Sequence, residues 1–79
     1  MSKELREITT RLCAKVRTIR KRRGLTLEEL GEQVDMSHQA LGRLERGEHS
    51  PAVDLLDRVL EPMGYTLDIV RIEEVEKEE

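Results

Sequence analysis

The chain has 79 residues, no Trp or Phe and a single Tyr, which excludes a second core and leaves one aliphatic domain with a stability on the order of a few kcal/mol. No apolar run approaches the roughly 20 residues that cross a bilayer, the first residues lack the apolar stretch of a secretion signal, and one Cys excludes an internal disulfide, so a cytoplasmic location is expected. The net charge of −3 hides a segregation: residues 1–23 carry nine Lys and Arg against two Glu, and residues 24–79 carry five against fifteen Asp and Glu.

That asymmetry suits one face for a polyanion, although a charge run by itself is more commonly a solvated helix surface. Leu5, Ile8, Leu12, Val16 and Ile19 recur at spacings of three and four, which predicts an amphipathic helix of about four to five turns ending near Gly24. Cys13 lies beside this stripe and reads as a buried structural thiol, with redox sensing as the alternative. A second helix opens on Thr26 as N-cap, with Glu29 completing a capping box and Leu25 and Leu30 forming a hydrophobic staple. It offers Leu27, Leu30 and Val34 to the core and stops near Asp35, a residue that tolerates the left-handed backbone region.

Only three residues, Asp35, Met36 and Ser37, precede the third helix. Ser37 caps it, Met36 and Leu41 repeat the staple, Leu41 and Leu44 face inward, and Gly47 follows its end near Arg46. Two short helices joined by so brief a turn have the dimensions of a helix-turn-helix. A fourth helix is expected with Ser50 as cap and Pro51 in its first turn, and with Val53, Leu56, Val59, Leu60 and Met63 as its stripe. Pro62 should disturb the last turn, and Gly64 closes it.

From Tyr65 the period falls to two. Tyr65, Leu67 and Ile69 alternate with Thr66, Asp68 and Val70, which predicts a strand over 65–72, with a fifth helix capped by Thr66 as the competing reading. A lone strand leaves its backbone groups unpaired, and the same strand of a second copy satisfies them, so a homodimer is expected. The sequence thus reads as an all-α, four-helix domain over 1–64, a dimerisation strand over 65–72 built on Tyr65, Leu67 and Ile69, and an acidic, disordered tail over 73–79.

The run Leu25-Thr26-Leu27-Glu28-Glu29-Leu30-Gly31-Glu32-Gln33-Val34, the turn, and His38-Gln39-Ala40-Leu41-Gly42-Arg43-Leu44-Glu45-Arg46-Gly47 followed by Ser50-Pro51 resemble the phage-repressor and Cro type of helix-turn-helix, the XRE family. The likeness covers residues 16–64 and implies a lambda-repressor-like fold whose third helix enters the major groove of double-stranded DNA. It implies that His38, Gln39, Gly42 and Arg43 face base edges. Gln39 suits adenine and Arg43 guanine, His38 suits a base or a phosphate, and Gly42 permits close approach. Ser37 and the amides around it, with Arg46, His49, Ser50, Arg22 and Arg23, are the implied phosphate contacts. The likeness also implies an internal ion pair between Arg20 and Glu45. The chain departs from the family pattern at Leu27, where Gln is usual, at Asp35, where Gly is usual, and at Gly42, where a polar residue is usual.

The function this implies is a sequence-specific transcriptional repressor acting as a homodimer on palindromic operators. The ending Met63-Gly64-Tyr65-Thr66-Leu67-Asp68-Ile69-Val70 resembles antitoxins of the HigA and HipB kind, which implies a cognate toxin as a further partner. A protein-interaction module that keeps the fold without binding DNA is the alternative, on the strength of the negative net charge and Leu27. No metal or other cofactor is expected, because Cys13, His38 and His49 lack ligand spacing. No enzyme is expected either, since the sequence offers no Gly-rich phosphate loop, no nucleophile with a base and no distinctive carboxylate pair.

Overall fold

The computed structural model describes the backbone of residues 3–73 and the side chains of residues 7–73. The elements run α1 (Lys3–Arg22), α2 (Leu27–Val34), α3 (His38–Glu45), α4 (Val53–Leu60) and a 3₁₀ turn (Glu61–Met63). Each boundary has a local cause. Thr26 Oγ1 accepts the Glu29 amide at 3.0 Å while the Thr26 amide donates to Glu29 Oε1 at 2.9 Å, the reciprocal pair of a capping box. These hydrogen bonds to the backbone and side chain of Thr26 hold the Glu29 carboxyl below its ordinary range. Asp35 ends α2 in the left-handed region, at φ 57° and ψ 49°, and the Met36 amide closes the turn on the Gly31 carbonyl at 2.9 Å. Ser37 Oγ accepts the Ala40 amide at 3.1 Å and so starts α3.

One boundary and one buried stripe differ from the pattern-based expectation. The cap of α4 is Ala52, without a side-chain hydrogen bond, so Ser50 and Pro51 lie ahead of the helix. The later start leaves Val53 70% exposed, and the inward stripe is Leu56, Val59 and Leu60, continued by Met63. On α1 the buried line runs through Cys13, Val16 and Arg20, with Ile8 largely exposed; Leu5 lies outside the described side chains.

Leu30 and Val34 of α2, Leu41 and Leu44 of α3, and the α4 stripe close on Cys13 and Val16 to form one core. Burial pushes the Cys13 thiol pKa up, which keeps it protonated and weakens the redox reading. Inside this core, Arg20 Nε donates to Glu45 Oε2 at 2.7 Å and Nη2 donates to Oε1 at 3.1 Å. Nη1 donates to the Leu25 carbonyl at 2.8 Å. One guanidinium therefore ties α1, the loop ahead of α2, and α3 together. A forked, desolvated pair of this kind fixes an angle between helices more surely than it adds net stability.

Beyond α4, residues 65–71 form neither a helix nor a paired strand among the described residues, and 72–73 are helical. The segment is tied back to α4: Thr66 Oγ1 and the Leu67 amide both donate to Asp57 Oδ1, at 2.7 and 2.8 Å. These two donors hold the Asp57 carboxyl below its ordinary range. Leu67 packs against the core, whereas Tyr65, Ile69, Val70 and Ile72 stand exposed. The proposed tail residues 74–79 lie outside the described residues.

Candidate nucleic-acid interface

The geometry of α3 follows from what locks its other side. Leu41 and Leu44 are buried in the core and Glu45 is held by Arg20, so the opposite face of the helix must point outward. His38, Gln39, Arg43 and Arg46 are exposed on that face, and Ser37 stands exposed at its head. His49 and Ser50 follow on the exposed connection to α4, so these polar residues share the α3 end of the domain. Arg22 and Arg23 are exposed at the end of α1, and the Arg23 guanidinium reaches toward the Gly64 turn, 3.1 Å from where a Gly64 Cβ would stand.

Gly42 is different from the position the pattern implied. It is buried, and a Cβ built there would lie 3.3 Å from Arg46 Nη1 and 3.7 Å from Leu27 Cδ1. The Arg46 side chain therefore reaches back one turn and occupies the space that a longer residue at 42 would take, as helical side chains tilt toward the N-terminus.

Three residues matter here that pattern reading passes over. Glu48 accepts from Arg46 Nε at 2.5 Å, and this bond, with the positive charges of Arg46, His49 and Arg43, holds its carboxyl below the ordinary range. Residues 46 and 48 are two apart across a turn, a spacing that the helical period of α3 does not flag. Glu28 sits 3.9 Å from His38 Nδ1, an acidic group on α2 beside the head of α3. Gly31 is buried within α2, with the Met36 carbonyl oxygen standing in the space that a Cβ would take. The signal for Gly31 was its place inside an otherwise good helix pattern, where Gly costs stability unless something needs the room.

A capped helix projected from a three-residue turn, locked on one side and polar on the other, defines a helix-turn-helix domain. The chain belongs to the helix-turn-helix family, in its XRE class: the family model matches residues 16–70. It is 41% identical over 49 residues to a protein of Methanothermobacter thermautotrophicus named an uncharacterized HTH-type transcriptional regulator, an alignment that spans 62% of this chain and 71% of that one. No solved structure matches the chain. None of the described helices is long and apolar enough to cross a membrane.

Proposed function

We propose that this protein is a DNA-binding transcriptional regulator, acting as a homodimeric repressor without catalytic activity. The observation that carries the reading is the pairing of opposite faces on α3: one immobilised through Leu41, Leu44 and the Arg20–Glu45 fork, the other presenting Gln39 and Arg43 to solvent. A side chain that reads a base edge must have its backbone fixed before it arrives, and this helix satisfies that condition. Arg43 offers a bidentate donor pair for guanine and Gln39 a donor and acceptor for adenine, with His38 beside them. Ser37, His49, Ser50 and Arg22 supply contacts to the phosphates.

The dimer reading is supported by the surface of the C-terminal segment. Ile69 is 95% exposed and Ile72 76% exposed, and the start of the same segment, through Tyr65 and Leu67, lines an apolar groove with Leu12, Ile19, Leu56 and Leu60. A homodimer assembled through this surface and bound to a palindromic site would place its two α3 helices in successive major grooves about 34 Å apart. The same exposed segment supports a second reading, an antitoxin that holds a toxin there and represses its own operon. Coexpression with the adjacent reading frame, scored by growth and by copurification, separates the two.

The direct test is electrophoretic shift of sites selected from random duplexes. Arg43→Ala should lose about 1–3 kcal/mol on the selected site and relax the choice at one base pair. No shift with any duplex at low salt would overturn the regulator in favour of a protein-interaction module.

A further inference from the structure

We infer that Arg46 is a base-reading residue, set in place by Glu48 and by the missing side chain of Gly42, and that it specifies a guanine at the centre of each half-site. The inference rests on the DNA-binding reading above and reassigns a residue that the family likeness put on a phosphate.

Three observations converge on it. The first is angular. Counting about 100° per residue from His38, Gly42 falls near about 40°, Arg46 near about 80°, Gln39 near about 100° and Arg43 near about 140°. Arg46 thus shares its face with the residues beside it, in the middle of their fan and not at its rim. The second is steric. Nη1 of Arg46 lies 3.3 Å from the Cβ that Gly42 lacks, so the guanidinium lies back along α3 to a point one turn nearer the head of the helix. A side chain that leaves the far end of α3 delivers its donors to the part of the helix that enters the groove deepest. The third is the clamp. Glu48 takes Nε at 2.5 Å, a bond that spends neither Nη1 nor Nη2. The free end of the fork is the pair of donors that matches guanine O6 and N7.

The clamp also argues against a phosphate as the partner. Arg46 and Glu48 together carry no net charge, and a phosphate drawn to the guanidinium would meet the Glu48 carboxylate beside it. A guanine edge is a neutral acceptor pair and does not pay that repulsion. Glu48 therefore trades general affinity for geometric choice: it weakens attraction to any backbone and holds the fork ready for one base.

Site selection from random duplexes with the parent chain, Arg46→Ala, Arg46→Lys, Glu48→Gln and Gly42→Ala tests this, with circular dichroism confirming that each variant is folded. The parent should select a guanine that Arg43→Ala leaves in place and Arg46→Ala abolishes, with about tenfold loss on the best site and no loss on a site altered at that pair. Arg46→Lys should lose the same preference, because a point charge lacks the planar fork. Gly42→Ala and Glu48→Gln should blur choice at that same pair and add nothing in the Arg46→Ala background. The slope of log affinity against log salt should be unchanged in Arg46→Ala. A selected site identical to the parent's, with affinity lowered evenly and the salt slope reduced by about one, would make Arg46 a phosphate contact and end the proposal. A parent chain that selects no sequence at all fails in a distinguishable way, since it removes the DNA reading itself and this inference with it.

Discussion

A methyl group at Gly31 would stand well inside contact distance of the Met36 carbonyl oxygen, and that oxygen belongs to a backbone already fixed by the Met36 amide on Gly31. Gly31→Ala should therefore destabilise the fold by about 1–3 kcal/mol, read as a fall in the urea midpoint. It should also weaken DNA binding beyond what the lost stability explains, because the displaced turn carries α3. Gly42 gives the opposite sign. There the neighbour is the end of a side chain, Arg46, which the exposed ion pair to Glu48 holds but which can swing aside where backbone cannot. Gly42→Ala should gain roughly 0.5–1 kcal/mol from helix propensity, visible as a rise in melting temperature of a few degrees. The two glycines look alike in sequence, each inside a short helix pattern. What distinguishes them is whether backbone or side chain fills the space above, and that depends on a turn whose path is set in three dimensions. Asp35 was more legible, since only a few residue types accept the left-handed region that ends α2.

At the scale of elements, the parts readable from sequence were those with local causes. The Thr26–Glu29 box and the Ser37 cap involve residues three apart, so spacing alone announces them. The start of α4 was misplaced because Ser50-Pro51 is an equally good local signal for a helix that tertiary packing begins two residues later, at Val53 with Ala52 as cap. The segment after α4 was the least legible. Its alternating apolar residues predict a strand, yet within one chain no partner strand is present among the described residues. What holds its first part is the Asp57 carboxylate, nine and ten residues back in the sequence from Thr66 and Leu67. This bond makes a pH prediction. Because folding depresses the Asp57 pKa, its stabilisation is complete above the ordinary carboxylate value of about 4 and disappears as pH falls through the lower folded value. Hydrogen exchange of the Leu67 amide should accelerate, relative to core amides such as Leu41, as acid protonates Asp57. Asp57→Ala should show the fast exchange at every pH. Uniform protection of Leu67 in that variant would mean that packing against the core, not the carboxylate, holds the segment.

For the molecule as a whole, the decisive question is what covers the apolar surface that the single chain leaves open. Tyr65, Ile69, Val70 and Ile72 are exposed within eight residues, in a segment that lines the α1–α4 groove through Tyr65 and Leu67, and the other exposed large apolar side chains among the described residues are Ile8 and Val53. A chain this small gains substantially by removing such a patch from water, at about 1.5–3 kcal/mol for each fully covered Ile or Val. Reading helices on a palindrome gain again, since joining two half-site contacts raises overall affinity by about 10²–10⁴ without any new contact to DNA. Ile69→Asp combined with Ile72→Asp should therefore convert a dimer into a monomer in sedimentation velocity. Helicity should be unchanged, because neither residue contributes to the core. Binding to a full palindrome should then fall by about a hundredfold or more, while binding to an isolated half-site stays at the parent's level. The half-site comparison separates loss of assembly from loss of recognition: equal losses on both duplexes would locate the damage in α3. A parent chain that sediments as a monomer at every concentration would leave the surface to a different protein and favour the toxin-holding reading.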